Sequence, residues 1–265
     1  MLNILNAAAI QYWTSFNSQI YDLSGRKLIT SYLTHAPEGD FICAYEEMSN
    51  PIEKGICSWQ VTSSGRIHDF KIKFADKIPD SLGGNTQPCN CKNPFGKRDR
   101  DHKKGCYFTW WNRNCFRWFR KIVALEEALF PGQLNLKYVV WIDADCTFKK
   151  KITLDVLDNI FEDNDFIYMK GPKRPAIESG ILGIRYSETG MNFINEIMKL
   201  YMSGEIFNLI RWDDGYIFTK MINQFHIKSR DIVSKKCNST RVVEHSLFKD
   251  YIIHNKGIHG EKLYK

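Results

Sequence analysis

The chain has 265 residues, enough for one large domain or two small ones with a real core. Apolar residues make up 43% and charged residues 25%, which excludes a disordered or fibrous chain, and no apolar run approaches the roughly 18 residues of a bilayer span. The net charge of +7 suits a polyanionic partner or a phosphorylated substrate, and fits a solvated basic surface equally well.

Ile4 to Ile10 reads as a first strand, with the aromatic and polar residues after it as its exit. The segment lacks a basic leader, so it is not read as a signal peptide, and the expected location is cytoplasmic (host cytoplasm for a phage-encoded chain). The eight cysteines are then expected as reduced thiols, and the "NST" sequon at Asn238 as unused. "GRKLITSYLTHA" reads as a helix and "GDFICAYEE" as a second strand. This strand–helix–strand opening predicts a single α/β domain, a mixed and mostly parallel sheet flanked by helices.

Residues 50–80 fit no one pattern. Residues 82–106, rich in Gly, Asn, Pro and Lys/Arg, predict a long exposed loop. Its "KRDRDHKK" end carries Lys97, Arg98, Lys103 and Lys104, candidates for phosphate contacts. Cys89, Cys91, His102 and Cys106 are near enough in sequence to hold a structural Zn²⁺, although the C-x-C spacing is not the usual C-x₂-C. Trp118, Ile122, Leu125 and Leu129 then predict a helix with one apolar face, stopped by "FPG".

"KYVVWIDADCTF" follows, an apolar run that ends abruptly at Asp143 and Asp145. Residues two apart in a strand point the same way, here toward the crevice at the carboxyl ends of an open α/β sheet. Two carboxylates side by side repel unless a cation lies between them, and Mg²⁺ or Mn²⁺ accepts such hard oxygen ligands. The bland alternative is one helix cap and one surface acid. Further on, "ITLDVLDNIF" reads as a helix, "DFIYMKG" and "ESGILGIRY" as strands, and Ile194 to Tyr201 as a helix preceded by Gly190. "RWDDGYIFTKMINQF" reads as a helix from about Gly215, and the tail as a short strand with a Gly- and Lys-containing end.

"WIDAD" after a mid-chain apolar strand resembles the Asp-x-Asp motif of GT-A-fold glycosyltransferases, and other segments add to the likeness. "RWFRK" resembles the helix before the metal strand in small phage, viral and bacterial members, and "HNKGIHGEK" their C-terminal element. "ESGILGI" and "RWDDGYIF" resemble their Glu-x-Gly and aromatic–acid elements. The resemblance implies a GT-A-like (Rossmann-type) fold and sugar transfer from a nucleotide sugar, expected to be a UDP-sugar, with Mn²⁺ or Mg²⁺ as cofactor. It implies Asp143, Asp145 and His254 as metal ligands, with His259 an alternative to His254. Arg117, Lys121, Asp143, Glu178, Gly180, Gly257 and Lys262 would line the donor, and Asp214 or Asp213 would be the base. The common form of the last element has His before the acid, so Asp213 is a departure, and Lys262 lies one residue further on than usual.

The nearest likeness is to phage-type enzymes, some of which glycosylate hydroxymethylated pyrimidines in DNA. With the basic loop, this makes DNA the expected acceptor, ahead of a protein or polysaccharide. "VVWIDADCT" also fits the Asp-x-Asp-x-Thr motif of haloacid-dehalogenase-like phosphatases, with Asp143 as nucleophile. That motif usually opens its fold, whereas here over 130 residues precede it.

Overall fold

A computed structural model of the protein describes residues 8–46, 55–61, 64–75, 115–172, 174–239 and 241–255, without the side chains of Glu46 and Arg117. Its strands are β1 (Ile10–Asn17), β2 (Asp40–Glu46), β3 (Cys57–Gln60), β4 (Tyr138–Ile142), β5 (Cys146–Phe148), β6 (Phe166–Met169), β7 (Glu178–Arg185), β8 (Ser229–Asp231) and β9 (Ile252–His254). Seven of them form one sheet in the order β3-β2-β1-β4-β7-β6-β8, and β5 pairs with β9 apart from it. Every neighbouring pair in the large sheet is parallel except those made by β7, which runs antiparallel to both β4 and β6. The expected mixed, mostly parallel sheet is therefore present.

The helices are α1 (Ser18–Ile20), which continues through a π-helical turn into α2 (Arg26–His35), then α3 (Gly65–Lys73), α4 (Cys115–Ala128), α5 (Leu154–Phe161), α6 (Glu188–Ser203) and α7 (Asp214–Phe225). Strand alternation explains how they divide between the two faces. Tyr138, Val140 and Ile142 of β4 enter one core cluster with Leu28, Ile29, Leu157 and Phe161 from α2 and α5. Val139 and Trp141 enter the other, with Phe70, Phe119, Ile197 and Phe218 from α3, α4, α6 and α7. Both faces of β4 are covered, which is why its sequence is apolar without interruption. Phe119 packs at a tilt against Phe70 at 4.4 Å and stacks on Tyr201 at 5.0 Å, fixing α4 against α3 and α6. Burial of each such ring stabilises the fold by about 1.5–3 kcal/mol.

Three expectations change. The first described strand is Ile10–Asn17, so the aromatic stretch read as an exit is the strand itself. Its buried Gln11 is hidden by pairing: Gln11 Oε1 accepts Trp13 Nε1 at 2.9 Å. Gly190 does not precede a helix but lies in the first turn of α6, capped by the Ser187 hydroxyl; a Cβ there would meet Arg185 O at 2.3 Å. Asp143 and Asp145 are not in a strand. β4 ends at Ile142, and Cys146 N donates to Asp143 O at 2.9 Å, closing a turn over the acid pair. The turn aims the two side chains at different partners.

Candidate active site

β4 is held in register by β7, and Asp143 N donates to Gly180 O at 2.7 Å just past the end of that ladder. This seats the Asp143–Asp145 turn at the carboxyl end of a buried central strand, beside the start of β7. On one side of the turn, Asp143 Oδ1 accepts Trp141 Nε1 at 2.6 Å and lies 3.0 Å from Lys121 Nζ. Lys121 projects from α4 and is 4% exposed. Its ammonium also lies 2.6 Å from Asp214 Oδ2 and donates to Ser179 O at 2.9 Å. One buried cation thus joins α4, the end of β4, the start of β7 and the start of α7.

Burial opposes charge on Lys121, but Asp143 and Asp214 outweigh it and hold its pKa above the ordinary lysine value. Burial pushes Asp214 above the ordinary aspartate value, with Lys121 working against the shift and Asp143 adding to it. The two directions agree once the sharing is counted: Lys121 gains from two acids, while each acid has only part of one cation.

Asp213 and Asp214 differ in role although both are buried. Asp213 is the N-cap of α7, accepting Tyr216 N at 3.1 Å, and it takes Arg211 in a bidentate pair at 2.8 and 3.0 Å. Asp214 turns inward to Lys121, and its Oδ1 accepts Gly215 N at 2.8 Å. Gly215 allows the close pass, since a Cβ there would meet Ile177 O at 2.3 Å.

On the other side of the turn, Asp145 Oδ1 lies 3.2 Å from His254 Nε2. The chain brings these residues together through the β5–β9 pair, in which Cys146 stands opposite His254, and Asn255 N donates to Asp145 O at 2.9 Å. Burial opposes protonation of His254; the hydrogen bond to Asp145 and the charges of Asp145, Glu178 and Asp143 outweigh it and raise its pKa. The Cys146 thiol is fully buried, and burial, reinforced by Asp145 and Asp143, raises its pKa well above the ordinary thiol value. Glu178 opens β7 and pairs with Arg174 at 3.0 Å.

The structure therefore brings Lys121, Asp143, Asp214, Asp145, His254, Glu178 and Gly180 into one neighbourhood. Lys97, Arg98, Lys103, Lys104, Gly257, His259 and Lys262 lie outside the described residues, as does the zinc candidate of Cys89, Cys91, His102 and Cys106, and as does the side chain of Arg117. Arg211, Ser179, Cys146 and Arg174 were missed by sequence reading. Ser179 and Cys146 acquire their partners Lys121 and His254 from the fold, whereas Arg211 and Arg174 pair with Asp213 and Glu178 close by in sequence, a spacing that was there to be read. The described cysteines, Cys43, Cys57, Cys115, Cys146 and Cys237, are thiols. Among the described residues no helix is long and apolar enough to cross a membrane.

A divalent cation fits the Asp145 side of the turn. Oxygen, sulfur and imidazole nitrogen donors from Asp145, Cys146 and His254 lie within 4.8 Å of one another. Gly180 makes room for this convergence, since a Cβ there would lie 2.9 Å from His254 Cε1. Gly180→Ala is accordingly expected to push the His254 ring away from Asp145. Because Asp145 raises the imidazole pKa and burial lowers it, the variant's His254 should titrate at lower pH than the wild type, followed by NMR of the ring protons. In the wild type the protonated contact stabilises the fold below the unfolded histidine pKa and is lost as pH rises through the raised value. An unshifted titration would mean that Gly180 does not position the ring.

No family model matches the sequence, and no curated protein matches it. Among solved structures, mouse xyloside xylosyltransferase 1 in its apo form is similar at 8% identity and a TM-score of 0.45, over 84% of this chain and 85% of that one. A glycosyltransferase involved in the glycosylation of the major capsid of PBCV-1 is similar at 11% identity and a TM-score of 0.42, over 96% and 98%. At these values the likeness decides neither activity nor substrate.

Proposed function

We propose that the protein is a metal-dependent glycosyltransferase that moves a sugar from a nucleotide sugar, a UDP-sugar by the motif resemblance, to an acceptor hydroxyl. The observation that carries this reading is the Asp143–Asp145 turn at the carboxyl end of β4, with His254 delivered to Asp145 by β9 and Asp214 joined to Asp143 through Lys121. Asp145 and His254 would hold Mn²⁺ or Mg²⁺, with Asp143 at the near end of the same turn. The bound ion would supply positive charge against the diphosphate as it leaves.

The chain's own groups do the rest. Glu178, held by Arg174, stands at the donor side of β7. The resemblance gives Lys121 a contact with the diphosphate; its ammonium lies against Asp143, Asp214 and Ser179 O, which supports a part in holding the acids in place. Arg117, Gly257 and Lys262 keep the donor roles that the resemblance implies. Asp214 is the better candidate for the base, because Asp213 is committed to the α7 cap and to Arg211. An acceptor hydroxyl would have to take the place of the Gly215 amide at Asp214 Oδ1, a rearrangement that substrate binding can drive.

A phosphatase reading fits less well. A nucleophilic Asp143 would attack with a carboxylate one oxygen of which holds both Trp141 Nε1 and Lys121, and His254 would have no role.

For the acceptor, a hydroxymethylated pyrimidine in DNA has the support of the +7 net charge and the basic loop with Lys97, Arg98, Lys103 and Lys104. A plain pyrimidine offers no hydroxyl to attack. Enzyme, Mn²⁺ and a panel of nucleotide sugars are incubated with hydroxymethylated and plain DNA, and the digested nucleosides are weighed. A hexose or pentose mass gain on the hydroxymethylated base alone is expected. Gain on a protein or glycan instead would remove DNA and keep sugar transfer; donor hydrolysis and transfer both absent for every nucleotide sugar would overturn the glycosyltransferase reading.

A further inference from the structure

We propose that Cys146 is a ligand of the catalytic cation, so that Asp145, Cys146 and His254 form a three-residue site that prefers a thiophilic ion such as Zn²⁺ or Co²⁺ to Mg²⁺; this rests on the metal-dependent reading above. The case begins with register. β5 and β9 are antiparallel and Cys146 stands directly opposite His254, which puts the two side chains on one face of the ribbon as cross-strand neighbours. The turn then places Asp145 beside both, and all three donor atoms fall within 4.8 Å of one another.

Asp143, which the motif suggests as a ligand together with Asp145, is drawn to the other side. Its Oδ1 is bonded by Trp141 Nε1 and lies 3.0 Å from the Lys121 ammonium. A cation at the Asp145 end therefore finds sulfur nearby, as well as oxygen. The thiol's own partner is weak, Gly180 O at 4.0 Å, and yields easily to a metal.

The donor set decides the ion. Mg²⁺ requires hard oxygen ligands and keeps its waters, whereas thiolate with imidazole selects borderline and soft ions. Three protein ligands with one position open to water or substrate is the pattern of a catalytic zinc centre. On binding, the Cys146 thiol proton and the proton between His254 and Asp145 leave to water, and the ion takes their place.

The test uses the full chain with Co²⁺ as the probe, read by absorption. A thiolate bound to Co²⁺ gives a near-ultraviolet charge-transfer band, while oxygen and nitrogen ligands alone give only weak visible bands. Wild-type protein is expected to show the charge-transfer band. Cys146→Ser and Cys146→Ala are expected to lose it and to bind Zn²⁺ more weakly, by at least the roughly 10–100-fold that loss of an outer-shell partner costs. Mg²⁺ affinity should be unchanged in both. His254→Ala, which alters a less buried position and guards against misfolding of the Cys146 variants, should also lose the band. Cys89→Ser should keep it.

Visible bands without charge transfer in the wild type would overturn Cys146 as a ligand and leave the Asp145–His254 cation standing. A charge-transfer band that survives in Cys146→Ala and vanishes in Cys89→Ser would place the sulfur ligand in the basic loop and overturn the proposal likewise. No Co²⁺, Zn²⁺ or Mn²⁺ binding that depends on Asp145 would overturn both this proposal and the metal-dependent reading.

Discussion

Lys121→Met is expected to destabilise the protein by about 3–5 kcal/mol, the cost of leaving a buried charge without its partner. Lys121 is enclosed, and its ammonium is the cation between Asp214 at 2.6 Å and Asp143 at 3.0 Å. Asp143 has a partly exposed side chain and water can replace Lys121 there; Asp214 is 2% exposed and has no such recourse. Most of the loss should therefore come from Asp214. The double variant Lys121→Met/Asp214→Asn should be more stable than Lys121→Met alone, a non-additivity that two residues in contact produce. Urea denaturation of the wild type and the three variants measures it. A loss below about 1 kcal/mol in Lys121→Met, the range of exposed ion pairs, would show that the buried cluster does not hold the sheet and α7 together.

Asp214→Asn is expected to lower sugar transfer by ~10²–10⁴ while leaving donor affinity within a small factor, the mark of a group needed only as the acceptor is deprotonated. Asp213→Asn is the comparison. It should keep the α7 cap, since an Asn side-chain oxygen accepts Tyr216 N as Asp does, and loosen Arg211, with a smaller effect on turnover. The pH profile separates the two further. Burial raises the Asp214 pKa, so its carboxylate is lost on acidification at a higher pH than for an exposed aspartate, and the acid limb of the wild-type rate profile should lie correspondingly high. Single-turnover transfer with saturating donor measures both effects. Near-normal transfer by Asp214→Asn with collapse in Asp213→Asn would exchange the roles.

These two experiments depend on Lys121, and its position marks the boundary between local and tertiary information. The α4 helix is readable from the apolar period of Trp118, Ile122 and Leu125, and the motif resemblance assigns the lysine among those residues to the donor. Its side chain is instead turned inward, because the Asp143 and Asp214 carboxylates offer a buried ammonium more than water can.

The amino-acid order by itself determined β4, the abrupt acid pair after it, the α/β alternation and most helix positions, since period-two and period-3.6 patterns are local. It determined the acidic start of α7 as well, although only the structure distinguishes the capping Asp213 from the inward Asp214. The strand over Ile10–Asn17 was misread because its buried polar residues, Gln11 and Thr14, broke the apolar run; Gln11 is paired within the fold, out of sight of any local pattern. What only the tertiary structure decided is direction and company. The antiparallel course of β7 brought Gly180 and Glu178 to the end of β4, the closed turn sent Asp143 and Asp145 to opposite sides, and the β5–β9 register set His254 against Cys146. The two strand pairings depend on hydrogen bonds between residues far apart in the chain, and the turn, though closed locally, finds its partners Lys121 and His254 only across the fold, which a periodicity of two or 3.6 residues does not encode.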